Sequence, residues 1–125
     1  MGKLKLTQEA QPGGALVIEI AGELDHETAP QLDALIQKAV DAGTSRLVCD
    51  LDRTTYISSA GVGLFVGFLN VCREKGGNLV LVRDSAGTAN TGIAPGFDPL
   101  EVFNLLGLGE VITVAPTVAV ALKKL

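Results

Sequence analysis

The sequence predicts an α/β layered domain with a mixed, mostly parallel sheet of about five strands and about four helices. Three observations carry this. Short β-rich apolar runs, too brief for helices, alternate with longer segments of helical period. The first run follows a Pro12-Gly13-Gly14 turn, which makes an antiparallel hairpin and hence a mixed sheet. The 125 residues are 47% hydrophobic, enough for one core and too few for two, so residues 1–125 are expected to form a single domain.

The elements follow in order. Ala15–Ile20 (ALVIEI) is a β-rich run expected to pair with Leu4-Lys5-Leu6 across the turn. Ala29, Leu32, Leu35, Ile36, Ala39 and Val40 recur at three and four with polar residues between them, an amphipathic helix stopped by Gly43. Arg46–Leu51 is a buried strand, and Asp52-Arg53-Thr54-Thr55 reads as a turn. A second helix starts at Ser58 or Ser59 and runs to about Lys75, where Gly76-Gly77 ends it. It is apolar nearly all round until Asn70 and is expected to be deeply buried, with Gly63 and Gly67 allowing close approach to a sheet or helix. Asn78–Val82 is another buried strand. Arg83–Phe97, with little apolar pattern, reads as a variable loop. Asp98-Pro99-Leu100-Glu101 is a strong helix start, and that helix ends at Gly107. Glu110–Val114 and Pro116–Leu125 supply a last strand and a last helix.

Composition removes several function classes. Ten basic against fourteen acidic residues give a net charge of −4, and there is no Trp and one Tyr. Such a chain lacks both a phosphate-neutralising surface and a base-stacking platform, so no direct nucleic-acid partner is expected. The longest uncharged run, Thr54–Cys72, is densely apolar only over Ala60–Leu69, too short to enter a membrane. The first residues carry no apolar leader segment. A soluble cytoplasmic domain is expected. Cys49 and Cys72 fall in apolar runs and read as small buried hydrophobes, with a redox bridge between them as the sharper alternative.

Most catalytic signatures are missing, and no enzyme is expected. Gly61-Val62-Gly63 is followed by its third glycine one residue late, at Gly67, and the residues before it read as a loop, so it is not a dinucleotide fingerprint. No phosphate-cradling Lys-Ser or Lys-Thr loop is present. One histidine, His26, and no Cys-x-x-Cys predict no metal and no cofactor. His26, between Asp25 and Glu27, reads as a polar residue ahead of a helix; a small hydrolase using Ser59, Asp25 and His26 would lack any nameable oxyanion partner.

What remains is Ser58-Ser59-Ala60-Gly61 at a helix start. The simpler reading is that a serine caps the helix. The sharper one is that a phosphate is wanted there: a helix N-terminus offers unpaired N–H groups and partial positive charge, so it tolerates a phosphoserine, whose added charge changes which surfaces it can meet.

Gly22-Glu23-Leu24-Asp25-His26-Glu27-Thr28-Ala29, ahead of a helix, resembles the first helix entry of STAS domains of the anti-sigma factor antagonist type. Asp50-Leu51-Asp52, then Tyr56-Ile57-Ser58-Ser59-Ala60-Gly61-Val62, is similar to the phosphorylation loop and second helix of that family. Val102-Phe103-Asn104-Leu105-Leu106-Gly107-Leu108 resembles its third helix and turn, so the likeness covers about residues 15–82 and 99–122. The family pattern at the loop is Asp-Ser-Ser-Gly. Anchored on Gly61, the resemblance makes Ser59 the phosphorylated serine, with Ser58 in the place of the Asp and as the alternative acceptor, and Ala60 in place of the second serine. It implies a partner surface of Asp25, His26, Tyr56, Ser58, Ser59, Ala60, Gly61 and Val62. The Arg83–Phe97 loop is longer than the family's connection.

The resemblance implies a STAS-like fold and a partner switch. Unphosphorylated, the domain binds an anti-sigma factor with serine kinase activity and frees a sigma factor; that kinase phosphorylates Ser59 and a PP2C-type phosphatase resets it. A homodimer is left open. The alternative is a STAS subunit of a membrane transport complex, docked on an ATPase subunit without a phosphorylation cycle.

Overall fold

The computed structural model describes residues 4–83 and 111–125. Strands β1 (Leu4–Ala10) and β2 (Leu16–Leu24) form the antiparallel hairpin, with Gly13 and Gly14 both at positive φ in the turn. Then come α1 (Ala29–Asp41), β3 (Arg46–Asp50), β4 (Thr54–Ile57), α2 (Ser59–Glu74), β5 (Asn78–Val82), β6 (Thr113–Ala115) and α3 (Val118–Lys123). The sheet runs β1-β2-β3-β5-β6, with β4 also paired to β2; every pairing except β1–β2 is parallel. The expected mixed, mostly parallel sheet is present. The helix expected over residues 98–106 and the loop beyond Arg83 lie outside the described residues.

Alternation along each strand sorts side chains to two faces. Leu47, Cys49, Leu79 and Leu81 point to the face covered by α1 and α2, where Leu32, Ile36, Phe65 and Leu69 complete the main core. Val48, Val80 and Val82 point the other way, onto Ala121 of α3. Both faces are therefore covered, as a parallel sheet requires, and β3 and β5 read as continuous apolar runs for that reason. The α1 stripe of Ala29, Leu32, Ile36 and Val40 is the expected one, and Gly43 follows it at φ +102°. Gly76, at φ +85°, ends α2 in the same way.

Three expectations are corrected. The segment expected to be a turn and loop at residues 52–57 contains β4, so a strand does precede the Ser58 corner. Two adjacent threonines hid it; its pairing depends on β2, which pairs with β3 as far as Glu19 and with β4 from Gly22 on, with an irregularity at Gly22/Glu23 inside the second pairing. Gly61 and Gly63 still do not form a nucleotide-cradling turn, because both lie inside α2. The second correction concerns α2, which is not buried all round. Ser59, Ala60, Gly63 and Gly67 are exposed, and a Cβ at Gly63 or Gly67 would meet nothing within 4 Å. The close packing is two residues before Gly63, on the opposite side of the helix: a Cβ on Gly61 would lie 2.9 Å from Leu24 Cδ2. Third, Arg83, which follows the end of β5 as expected, is not a surface loop residue but a buried one. It is 3% exposed, and its Nη1 donates to Leu51 O at 2.6 Å and Thr54 O at 3.2 Å.

Candidate functional site

The two motifs singled out in the sequence meet in space. The backbone N–H of Ser58 donates to Leu24 O at 2.9 Å, joining the start of α2 to the end of β2. Upstream, Thr54 Oγ1 donates to Ile20 O at 2.7 Å, and Gly22 N donates to Arg53 O at 3.0 Å. These bonds, with the Arg83 guanidinium on Leu51 O and Thr54 O, fix the β3–β4 turn and hence the serine corner. Arg83 was missed as a positioning residue because an arginine following NLVLV gives no sign of turning inward.

At the corner the two serines differ. Ser58 is the N-cap residue, with extended backbone at φ −89° and ψ 173°, yet its side chain makes no capping bond and its Oγ is buried without a partner. Ser59, the first residue of α2, is exposed. Ala60 beside it is exposed, and Tyr56 is 43% exposed. Gly61 and Val62, expected on that surface, are buried and present no contact area; Gly61 seats α2 on Leu24 and Ile57.

Asp25 caps the neighbouring turn. Its Oδ1 accepts the N–H groups of Glu27 at 2.9 Å and Thr28 at 3.0 Å. The Thr28 N–H, ahead of the other influences, holds the Asp25 carboxyl below the usual carboxylate range. Thr28 itself is buried; its Oγ1 accepts the Asp25 N–H at 2.9 Å and donates to Glu23 O at 2.7 Å. His26 projects to solvent with its Nε2 4.0 Å from Glu27 Oε1, and no hydrogen bond links it to a serine hydroxyl among the described residues. The corner therefore presents an exposed hydroxyl at the start of α2, joined through the backbone bond from Ser58 to Leu24 to a turn that carries an ionised carboxylate and an exposed imidazole.

Asp50, at the carboxyl end of β3, is partly buried, which raises its pKa; its Oδ1 accepts the Asp52 N–H at 3.0 Å. Cys49 and Cys72 are both free and buried, and burial pushes both thiols up. No group of three or more His, Cys, Asp or Glu side chains is placed to hold a metal among the described residues, nor does any helix there have the length and apolarity to cross a membrane.

The model of the STAS domain family matches residues 7–121. The chain belongs to the STAS domain family. The anti-sigma-B factor antagonist of Staphylococcus aureus is 31% identical to this STAS chain over 65 residues, 52% of the chain and 60% of that relative. The chain thus spans less than two thirds of the length of the curated relative it matches. A solved anti-sigma factor antagonist from Mycobacterium paratuberculosis covers 98% of the chain and is itself covered to 93%, with a TM-score of 0.76 at 23% identity, a likeness of fold. The antagonist SpoIIAA in its unphosphorylated form gives a TM-score of 0.73 at 26% identity, over 96% of this chain and 95% of that one. The phosphorylated form of SpoIIAA, described as a Bacillus cell fate determinant, gives 0.66 over 96% and 98%.

Proposed function

We propose that this STAS domain is an anti-sigma factor antagonist, a cytoplasmic non-enzymatic switch that binds an anti-sigma factor with serine kinase activity and is released by phosphorylation of Ser59. The observation that carries the reading is the asymmetry of the serine pair: Ser59 is exposed at the first position of α2, whereas the Ser58 Oγ is buried. A kinase must bring the acceptor oxygen in line with a phosphoryl group, so the exposed serine is the acceptor. The relatives support it, since the Staphylococcus protein is named an anti-sigma-B factor antagonist and SpoIIAA has been solved in both phosphorylation states.

The physical effect of the phosphate differs between the fold and the interface. At the first position of a 16-residue helix the added charge meets the positive end of the helix dipole and unpaired N–H groups, so the domain keeps its structure. At a contact surface, about two extra negative charges beside the ionised Asp25 oppose acidic or desolvated partner groups and weaken binding. A PP2C-type phosphatase removes the group and restores the binding state.

The test is intact mass followed by peptide mapping, after incubation with ATP and the serine-kinase anti-sigma factor encoded nearest to this gene. A single phosphate on Ser59 is expected. A phosphate on Ser58 would move the acceptor by one residue. No phosphate, with an active kinase control and co-purification of a transporter ATPase subunit, would replace the proposal with a docking subunit that has no phosphorylation cycle.

A further inference from the structure

Between α1 and α2 lies an open groove of about 480 Å³ that begins at the serine corner. Its α2 wall is Ala60, Gly63, Leu64, Gly67, Phe68 and Val71, which recur at three and four and so share one helical face. Its α1 wall is Ala29, Pro30 and Asp33, and His26 closes the corner end. Gly63 and Gly67 leave that wall bare: neither is at positive φ and neither is pressed by a neighbour, so packing does not account for the missing side chains. The α2 wall spans residues 60–71, about 16 Å of helix at 1.5 Å per residue, which is the length of three turns of a docked helix.

We propose that this groove receives an amphipathic helix of the partner, about three turns long, with apolar anchors at i, i+3 or i+4 and i+7 and a basic flank. This rests on the reading of the chain as a partner-binding switch and names the element that the partner contributes. Charge selects the occupant. Asp33 stands exposed on the groove wall, and Asp25 and Glu27 flank His26 at its corner end. An acidic rim disfavours phosphate-bearing ligands and anionic lipid. It also disfavours a second copy, because a two-fold contact through this groove would bring the same acidic residues of each copy together. An apolar wall under an acidic rim fits the helix-in-groove mode with lysine or arginine on the flank. The groove is continuous with Ser59 through Ala60, so a helix lying in it ends beside the phosphoacceptor; its basic flank runs along Asp33, away from that end, and the end that meets Ser59 is apolar and desolvated, so an added, strongly hydrated phosphate opposes its seating.

The experiment uses the full chain, labelled with ¹⁵N and titrated with two synthetic 15-residue helical peptides of one apolar pattern, a Leu/Lys peptide and a Leu/Glu peptide. Expected are shifts of the Gly63, Leu64 and Gly67 amides with the Leu/Lys peptide only. Affinity should fall at least tenfold in Gly67→Met, which fills the groove with a good helix former, and in Asp33→Lys. Circular dichroism on both variants verifies the fold. Shifts confined elsewhere, equal response to both peptides, or an affinity unchanged in folded Gly67→Met would overturn the groove assignment. No kinase is present in this titration, so its failure is distinct from failure of Ser59 to accept phosphate.

Discussion

At the residue scale, the serine pair carries the sharpest expectations. Ser59→Ala should keep binding to the anti-sigma kinase and abolish modification, while Ser59→Asp should weaken binding by about tenfold or more, roughly 1.4 kcal/mol. Calorimetric titration reads both, and equal affinities of wild type and Ser59→Asp would sink the switch. Thr28 is a structural counterpart to this site. Thr28→Val leaves the Asp25 N–H and Glu23 O without their shared hydroxyl and should cost about 1–3 kcal/mol, seen as a lower denaturant midpoint at unchanged slope. Asp50 gives a pH signature of definite sign. Its folded pKa is raised, so the ionised carboxylate opposes folding, and stability from this group declines as pH rises from the unfolded value near 3.9 through the folded one. Asp50→Asn keeps the acceptor for the Asp52 N–H and should raise the melting temperature at pH 7, the gain vanishing below about pH 3.9. Asp25 has the opposite sign: its depressed pKa supports folding above the ordinary carboxylate range, and that support is lost as pH falls through the folded pKa.

At the element scale, α2 is the instructive case. Its ends were legible because Ser58 and Gly76 are ordinary punctuation for a helix. Its orientation was not. An apolar composition says that a helix belongs at a core without saying which face turns inward, and three glycines of the same chemistry proved to have two different surroundings. Gly63→Ala and Gly67→Ala should each stabilise the chain by about 0.5–1 kcal/mol, since the added methyl meets nothing and helix propensity improves. Gly61→Ala should destabilise it, because the methyl falls on Leu24. Thermal melts of the three variants separate the two environments. Strand β4 was hidden for a different reason: Thr54-Thr55 also suits a turn, and what makes it a strand is the irregular β2 beside it, a contact remote in sequence.

At the scale of the whole molecule, the layer order, the hairpin and the direction of the sheet followed from patterning, since two faces and one core allow few arrangements. The convergence of residues 24–25 with 58–59 did not follow from patterning; it came from the family likeness, and the bond from Ser58 N to Leu24 O supplies its physical basis. Phosphorylation would take the net charge from −4 to about −6, so binding of an acidic partner to the modified chain should recover partly as salt is raised, whereas binding of the unmodified chain to a basic groove ligand should weaken. Comparing both dissociation constants at low and high salt separates the two contributions.

The two buried thiols have a practical consequence. Cys49 and Cys72 are enclosed and their pKa values are pushed up, so the native fold holds almost no thiolate. The chain should resist maleimide until it is denatured. A single Lys123→Cys at the exposed end of α3, on the sheet face opposite α1 and α2, would then take one dye or one surface linker and leave the serine corner turned toward solution.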